Sequence, residues 1–461
     1  MQRRKFIRST ALLGAALATS QARAFAAWKN GAQKRIALVG TGVRGSTLWG
    51  KNLAENYGEQ VQFVALCDIN PGRLAFVHET MGVDCPTYTD FDRMMREARP
   101  EWVIVTTVDA THDRFIIGAM EYGANVITEK PLTTDAAKCQ AILDAQKRTG
   151  REVLVTFNYR HSPHNTAIKQ LLHDKRVGQV TSVDFSWYLN VYHGASYFRR
   201  WHGYVANSGS LWVHKATHHF DLLNWWIGAR PVAVTALGAL ERYGKNGPFR
   251  GESCRTCPHK KECVHYWDIT KEKYLMDLYV KNEEHDGYIR DACVYREDID
   301  IWDKMSAQIV YDNDVVVNYT LTTYSPYEGY RIAFNGQEGR LDTWEDIPYQ
   351  RGTYTDEEQA DLHAAEMNFE RNEVPTEYYQ ILLHKNFEKD FETIKVPKYR
   401  YGHGGGDRRM LDYLFVNPDA ADPLGHMAGT TDGAYSILIG VAARLSIAEG
   451  RTVRLDELVR V

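Results

Sequence analysis

The 461-residue chain is 44% hydrophobic and 25% charged, with a formal net charge of −4. That profile builds a core and suits two domains with a small insertion, and its mild acidity excludes a nucleic-acid surface. Aromatic residues reach 12%, with 27 Tyr and 11 Trp, a supply that serves either internal packing or stacking on sugar rings.

Residues 1–26 form an address rather than a fold. Arg3-Arg4-Lys5-Phe6-Ile7-Arg8 is a twin-arginine pattern, residues 10–20 are short and uncharged, and Ala22-Arg23-Ala24 and Ala24-Phe25-Ala26 offer small-residue cleavage sites. The uncharged run is too short to span a bilayer, so the expectation is a periplasmic protein with no membrane span, exported already folded.

The apolar run 36–39 predicts a buried parallel strand. It leads into Gly40-Thr41-Gly42-Val43-Arg44-Gly45, where Gly40 permits a tight turn, Gly42 lets backbone approach a pyrophosphate, and Gly45 packs helix on strand. The helix that follows would present free N–H groups to phosphates. A second run, 61–67, ends in Asp68, placed to accept hydrogen bonds from an adenosine ribose and to repel a 2′-phosphate. The expected cofactor is therefore NAD, held by Gly40, Gly42, Val43, Arg44, Gly45 and Asp68.

Strand-like and helix-like stretches alternate through 33–157, as in a doubly wound domain. A strand at 102–107 precedes the loop Val108-Asp109-Ala110-Thr111-His112, and a strand at 125–128 delivers Glu129-Lys130-Pro131. Loops at such strand ends line the nucleotide crevice, which adds His112, Glu129 and Lys130 to the cofactor set. Lys130 either works as a general acid or base, its pKa lowered by burial, or pairs with Glu129 at the surface. Thr133-Thr134-Asp135 is expected to supply the N-cap of a helix running through Lys147, and a strand at 153–157 ends at Asn158-Tyr159-Arg160-His161.

Beyond about residue 165 the pattern becomes that of an open antiparallel sheet, with β-rich stretches at 180–188, 308–323, 330–334 and 339–342. A helix is expected over 214–227, closed by Gly228, and an apolar helix over 435–449. The charged stretch 343–400 shows no regular elements.

Four constellations carry chemistry. His214 and His218 are four apart, which would put them on one helical face as a proton relay, a metal pair or two structural histidines. Residues 188–202 hold His193, Tyr197, Arg200 and Trp201, which suit a polyhydroxylated ligand or a subunit contact. With Asn158, Arg160 and His403 they make up the expected substrate set. The glycine-rich run 401–408 either brings His403 and Asp407 to a substrate or forms a flexible turn. Cys254, Cys257, Cys263 and Cys293 suit structural zinc, an iron–sulfur cluster or disulfides within a Cys-rich insertion around 250–295.

The glycine motif, Glu129-Lys130-Pro131 and His218-x2-Asp221-Leu222-Leu223, in that order across residues 33–342, resemble the Gfo/Idh/MocA family, which includes glucose–fructose oxidoreductase and inositol dehydrogenase. The resemblance implies an α/β protein: an N-terminal Rossmann doubly wound domain over 33–157, then a C-terminal α/β domain over 158–461 built on an open, mainly antiparallel sheet. It implies Lys130 as catalytic lysine and His218 as acid/base. The family often has Asp four residues before that histidine, whereas this chain has His214. The cysteine cluster and the His403 loop look like features of an exported, carbohydrate-associated branch. The implied activity is oxidation of a sugar or glycoside ring hydroxyl, such as C3, by NAD. The alternatives are an NAD-dependent glycosidase working by oxidation, elimination, hydration and re-reduction, and a non-catalytic sugar-binding protein. A carbohydrate substrate and a homo-oligomer are the partners expected.

Overall fold

The computed structural model describes residues 33–346, 377–399 and 402–461. The expected leader and Tyr401 lie outside them.

The first sheet has six parallel strands, β1 (Lys34–Val39), β2 (Val61–Cys67), β3 (Thr87–Tyr88), β4 (Trp102–Val105), β5 (Asn125–Thr128) and β6 (Val153–Val155), in the order β3-β2-β1-β4-β5-β6. All four residues of β4 are buried, because helices cover both faces. The strand order reverses between β1 and β4, which opens a crevice at their carboxyl ends, where Gly40 meets Thr106. Strands β4 and β6 end two residues earlier than expected, at Val105 and Val155, and the chain turns there into the loops that line the crevice.

The second sheet has nine strands. They are β7 (Val180–Asn190), β8 (Pro231–Ala239), β9 (Lys304–Tyr311), β10 (Val316–Ser325), β11 (Gly329–Gly336), β12 (Gly339–Glu345), β13 (Glu377–Lys385), β14 (Phe391–Lys398) and β15 (Val453–Arg454). Their order is β14-β13-β12-β11-β7-β10-β9-β8-β15, antiparallel throughout except for the parallel β7–β10 pair. The expected irregular stretch 343–400 thus contains two strands. In β13, Tyr379, Ile381 and Leu383 alternate inward between Tyr378, Gln380, Leu382 and His384, a period-two pattern hidden within a charged stretch of sequence.

One face of this sheet is covered by the helices Ala216–Ile227 and Thr430–Glu449. The latter begins five residues before the expected start and fits tightly between the two halves of the molecule. A Cβ on Gly433 would lie 2.9 Å from Leu132, and one on Gly440 would lie 2.2 Å from the Trp212 carbonyl oxygen. Residues 428–429 also bond the edge strand β6, with Val155 N–H donating to Ala428 O at 3.0 Å. No helix among the described residues is long and apolar enough to cross a membrane.

Candidate active site

The glycine loop is shaped by close contact. Gly40 has φ +96°, and a Cβ there would sit 2.8 Å from the Thr106 carbonyl carbon. A Cβ on Gly45 would lie 2.1 Å from Gly40 O, so the helix Gly45–Asn52 approaches the strand end only because that atom is missing. Asp68 ties the loop to β2: its Oδ2 accepts from Thr41 N at 2.6 Å and Thr41 Oγ1 at 2.9 Å, and its Oδ1 accepts from Asn70 N at 2.8 Å. Arg73 lies 3.3 Å from the same carboxylate and 2.6 Å from Asp286. A loop with glycine at 40, 42 and 45 and an acid behind it fits a dinucleotide, with Gly40, Gly42, Val43 and Gly45 as the residues that would hold its pyrophosphate.

An unexpected partner reaches this crevice from the insertion. Val43 N–H donates to the Tyr279 hydroxyl at 2.9 Å, Tyr274 Oη donates to Ser46 Oγ at 2.7 Å, and Asn70 Nδ2 donates to Asn282 O at 2.9 Å. The Cys-rich insertion therefore lies across the mouth of the nucleotide crevice.

Arg44 and Glu129, expected at the cofactor, belong to a buried charge network. Arg44 Nε donates to Glu129 Oε1 at 2.7 Å and its Nη2 to Asp407 Oδ1 at 2.6 Å, while Trp49 Nε1 donates to Glu129 at 2.8 Å. Asn158 Nδ2 and His403 Nδ1 each lie 2.7 Å from Asp407. Burial alone would raise the Asp407 carboxyl, yet Arg44 and His403 hold it far below the carboxylate range. The glycine run makes this possible. Residues 402–405 all have positive φ, winding one left-handed turn that points His403 back at Asp407, and helix follows to Leu411.

Lys130 stands at the end of β5, next to a cis Lys130–Pro131 bond. Its Nζ donates to the His214 carbonyl at 3.1 Å, which excludes the reading of Lys130 as a surface partner of Glu129. Burial pushes the amine down to about 8, against the opposing charges of Asp109 and Glu129. Burial raises the Asp109 carboxyl despite Lys130, and burial with Lys130 nearby keeps His214 well below its ordinary value. The His214 Nδ1 and Asp109 Oδ2 atoms are 2.6 Å apart, so a neutral imidazole can donate to the carboxylate. Where the family often has Asp, this chain has a histidine and draws a carboxylate from the β4 loop.

His214 does not share a helical face with His218. The helix starts at Ala216, and His214 sits in the turn before it, bonded through its N–H to Ser210 O at 2.8 Å. His218 packs edge-on against Tyr159 at 4.7 Å between ring centroids and lies 6.1 Å from the His403 ring. Its Nδ1 is buried with no hydrogen-bond partner among the described residues, and burial followed by the charges of Lys130 and Lys215 depresses its pKa. A neutral imidazole with a vacant nitrogen can exchange a proton with a hydroxyl.

The substrate set divides. Tyr197 and Trp201 place their rings 5.4 and 5.6 Å from that of His214, and His202 stacks on Trp201 at 3.6 Å. Arg200 has its guanidinium 5.1 Å over the Tyr197 ring. His193 is turned to Tyr197 Oη at 3.0 Å and Glu328 at 3.1 Å, a supporting position behind the wall. Arg160, expected at the substrate, is instead locked in a buried ion pair with Asp221 at 2.8 Å and a second with Asp432 at 2.9 Å. The Asp221 of the His218-x2-Asp221 motif thus anchors the fold. His112 likewise faces carbonyls, Pro131 O at 2.8 Å and Thr107 O at 3.1 Å, and braces the Lys130 loop rather than facing the crevice.

The four insertion cysteines line one small cavity with Arg199 and His265, and all are free thiols. The expected disulfides are absent there. Among the described residues no three His, Cys, Asp or Glu side chains are arranged to hold a metal, and the Arg199 guanidinium points into the group, donating to Cys254 Sγ at 2.8 Å.

Asp109, His202, Lys215, Tyr279 and Arg290 stand at or beside this site outside the expected set. Lys215 lies 5.2 Å over the Trp187 ring. His202 and Lys215 were legible as part of dense His/Arg/aromatic runs, whereas nothing in the spacing of Tyr279 or Arg290 ties them to the glycine loop.

Comparison with known proteins agrees with this architecture. A profile described as an oxidoreductase family with an NAD-binding Rossmann fold matches residues 34–157, and its C-terminal alpha/beta domain profile matches residues 169–455. The chain is 35% identical over 445 residues to the oxidoreductase YteT of Bacillus subtilis (strain 168), covering 93% of this chain and 99% of that protein. It is 27% identical over 168 residues to inositol 2-dehydrogenase/D-chiro-inositol 3-dehydrogenase of Lactiplantibacillus plantarum, spanning 36% of this chain and under half, 45%, of that enzyme. Among solved structures, an Agrobacterium radiobacter oxidoreductase in complex with NAD+, L-tartaric acid and magnesium superposes with a TM-score of 0.59 at 15% identity, covering 93% of this chain and all of that one. An NAD-binding first domain, a mostly antiparallel second domain and matches over both place this chain in the Gfo/Idh/MocA family of oxidoreductases.

Proposed function

We propose that this chain oxidises a ring hydroxyl of a sugar or glycoside, with Lys130 and His218 handling the hydroxyl proton. The observation that carries the reading is Lys130: an amine held at a strand end by the His214 carbonyl, with its pKa lowered to about 8 by burial. Bound NAD would supply the hydride acceptor. Lys130 in its neutral form takes the hydroxyl proton, and Asp109, through His214, fixes where the amine points. His218, with one ring nitrogen unengaged, serves as the second proton carrier. Tyr197, Trp201 and His202 form the wall against which a sugar ring would stack. The inositol dehydrogenase relative supports a cyclic polyol as the substrate class.

A second reading is favoured by the insertion lying over the glycine loop. A nucleotide kept beneath it would be reduced and re-oxidised in place, as a redox-neutral glycosidase requires. Oxidation at C3 makes the C2 proton acidic, the aglycone leaves from C1, water adds, and the ketone is reduced again. We also assign residues 1–26 to twin-arginine export to the periplasm, on the Arg3-Arg4 pattern and the cleavage sites after it. The outer face of the nine-stranded sheet, where Leu237, Val310 and Val316 are exposed, is our assigned surface for pairing between copies.

Native mass spectrometry followed by incubation with a panel of glycosides tests the reading. Bound NAD with accumulation of a keto-sugar supports the dehydrogenase. Aglycone release without net NADH supports the glycosidase. No bound nucleotide and no product from any sugar would reject both.

A further inference from the structure

Two arginines beside the candidate site have no counter-ion among the described residues. Arg200 Nε donates to Ser196 O at 2.8 Å and its Nη2 to Ser196 Oγ at 2.9 Å. Arg290 places its guanidinium 5.2 Å over the Tyr279 ring, and its Nε is buried with no hydrogen-bond partner. His202 Nδ1 is buried with no hydrogen-bond partner among the described residues, and the Tyr288 hydroxyl lies beside the Arg290 guanidinium. Among the described residues no carboxylate comes within ion-pair distance of either guanidinium. Burial, then the neighbouring Arg290, push Arg200 down to about 10. Both side chains are half-buried, and two like charges held near one another without a carboxylate, beside an unpartnered Arg290 Nε, call for an anion that arrives with a ligand.

The pair belongs to the amine end of the crevice. His202 feels Arg200, Lys130 and Arg290 together, and Asp109 and His214 both feel Arg200. The carboxylates nearby are already engaged, Asp109 with His214 and Glu129 with Arg44 and Trp49. A planar fork over an aromatic ring matches a carboxylate in bidentate geometry.

We propose that Arg200 and Arg290 form a carboxylate-binding subsite beside Lys130, so that the sugar this chain acts on is an acidic one, a uronic acid or uronoside. The proposal rests on the sugar-oxidising reading and narrows its substrate class. The subsite is built from two segments far apart in sequence, the strand-to-helix stretch at 188–202 and the insertion. The insertion therefore supplies part of the substrate specificity as well as a cover for the nucleotide crevice.

The test compares methyl β-D-glucuronide and methyl α-D-galacturonide with their neutral glucoside and galactoside counterparts on the full, nucleotide-loaded protein. Turnover is followed by NADH absorbance and product mass, and binding by calorimetry. The expected kcat/KM ratio favours the uronosides by about a hundredfold, the usual cost of leaving a buried charged partner unpaired. Arg290→Gln brings the ratio toward one while nucleotide occupancy by native mass spectrometry is retained. Arg200→Lys, which keeps the charge but loses the fork, gives an intermediate ratio. A wild-type ratio near one overturns the subsite and leaves the sugar-oxidising reading standing. Loss of nucleotide from Arg290→Gln overturns it too, because the pair then serves the pyrophosphate. If no sugar turns over, calorimetric binding of uronosides that vanishes in Arg290→Gln sustains the subsite, and absence of that binding ends it.

Discussion

Asp109 and His214 meet at 2.6 Å across 105 residues of sequence, and the backbone carbonyl of the same histidine accepts the Lys130 amine at 3.1 Å. One imidazole therefore joins a buried carboxylate to the proposed general base. Asp109 raises the Lys130 pKa against the pull of burial. Asp109→Asn should shift the pH–rate limb for oxidation toward lower pH and lower kcat more than it changes KM. An unchanged profile would show that Asp109 only stabilises the fold.

Lys130→Met should cut turnover by about 10²–10⁴-fold, the span of a lost general base, with nucleotide still bound. In the parent protein the oxidation rate should rise with pH through about 8, because the neutral amine is the active form. The same group has a stability signature. Its folded pKa is about 8 and its ordinary value 10.5, so between these pH values the unfolded chain binds the extra proton. Its contribution to stability therefore rises with pH across that window and is flat below it. Thermal unfolding of both proteins from pH 7 to 10.5 should show the parent gaining relative to Lys130→Met.

Asp407 holds Arg44, His403 and Asn158 from one buried carboxylate. Asp407→Asn leaves Arg44 with half its partners and should destabilise the protein by about 3–5 kcal/mol in urea unfolding at pH 7. The carboxyl is held far below its ordinary 3.8 in the folded state, so the stability it contributes is present above that value and drains away as pH falls beneath it. The gap between parent and variant should accordingly narrow below about pH 4.

Gly45→Ala would place a methyl 2.1 Å from Gly40 O in the turn and 2.6 Å from Thr106 Oγ1 at the end of β4. The loop must open, and the expected result is a protein that folds, with a melting temperature lowered by several degrees, but purifies without nucleotide. Nucleotide retained at parental levels would mean that the dinucleotide does not sit on this turn.

Asp68→Ala removes the acceptor for Thr41 and Asn70 and one partner of Arg73. NAD affinity should fall by roughly tenfold or more, and the preference for NAD over NADP should shrink, because the repelling carboxylate is gone. Competitive binding of the two nucleotides measures both effects.

The first domain was legible because its signals are local. Four buried residues in β4, the glycine turn after β1 and an acid at the end of β2 each occupy a few consecutive positions. Charge patterns misled where they masked alternation, as in β13, and where a motif residue had a partner distant in sequence. Arg160 looks like a substrate contact until Asp221 and Asp432 are seen beside it. His214 looks helical until Ser210 is found holding it in a turn. Tyr279 and Arg290 reach the crevice only because the insertion folds back over more than 200 residues of chain, and no periodicity records such a return.

The helix Thr430–Glu449 bears on how the molecule comes into being. Residues 428–429 complete the open edge of β6, and Gly433 and Gly440 seat that helix against Leu132 and Trp212. These residues are made long after the nucleotide domain. The nascent nucleotide domain must therefore wait with a bare flank until they emerge, and a chain cut short before residue 428 would leave that flank open to aggregation rather than yield a working half-protein.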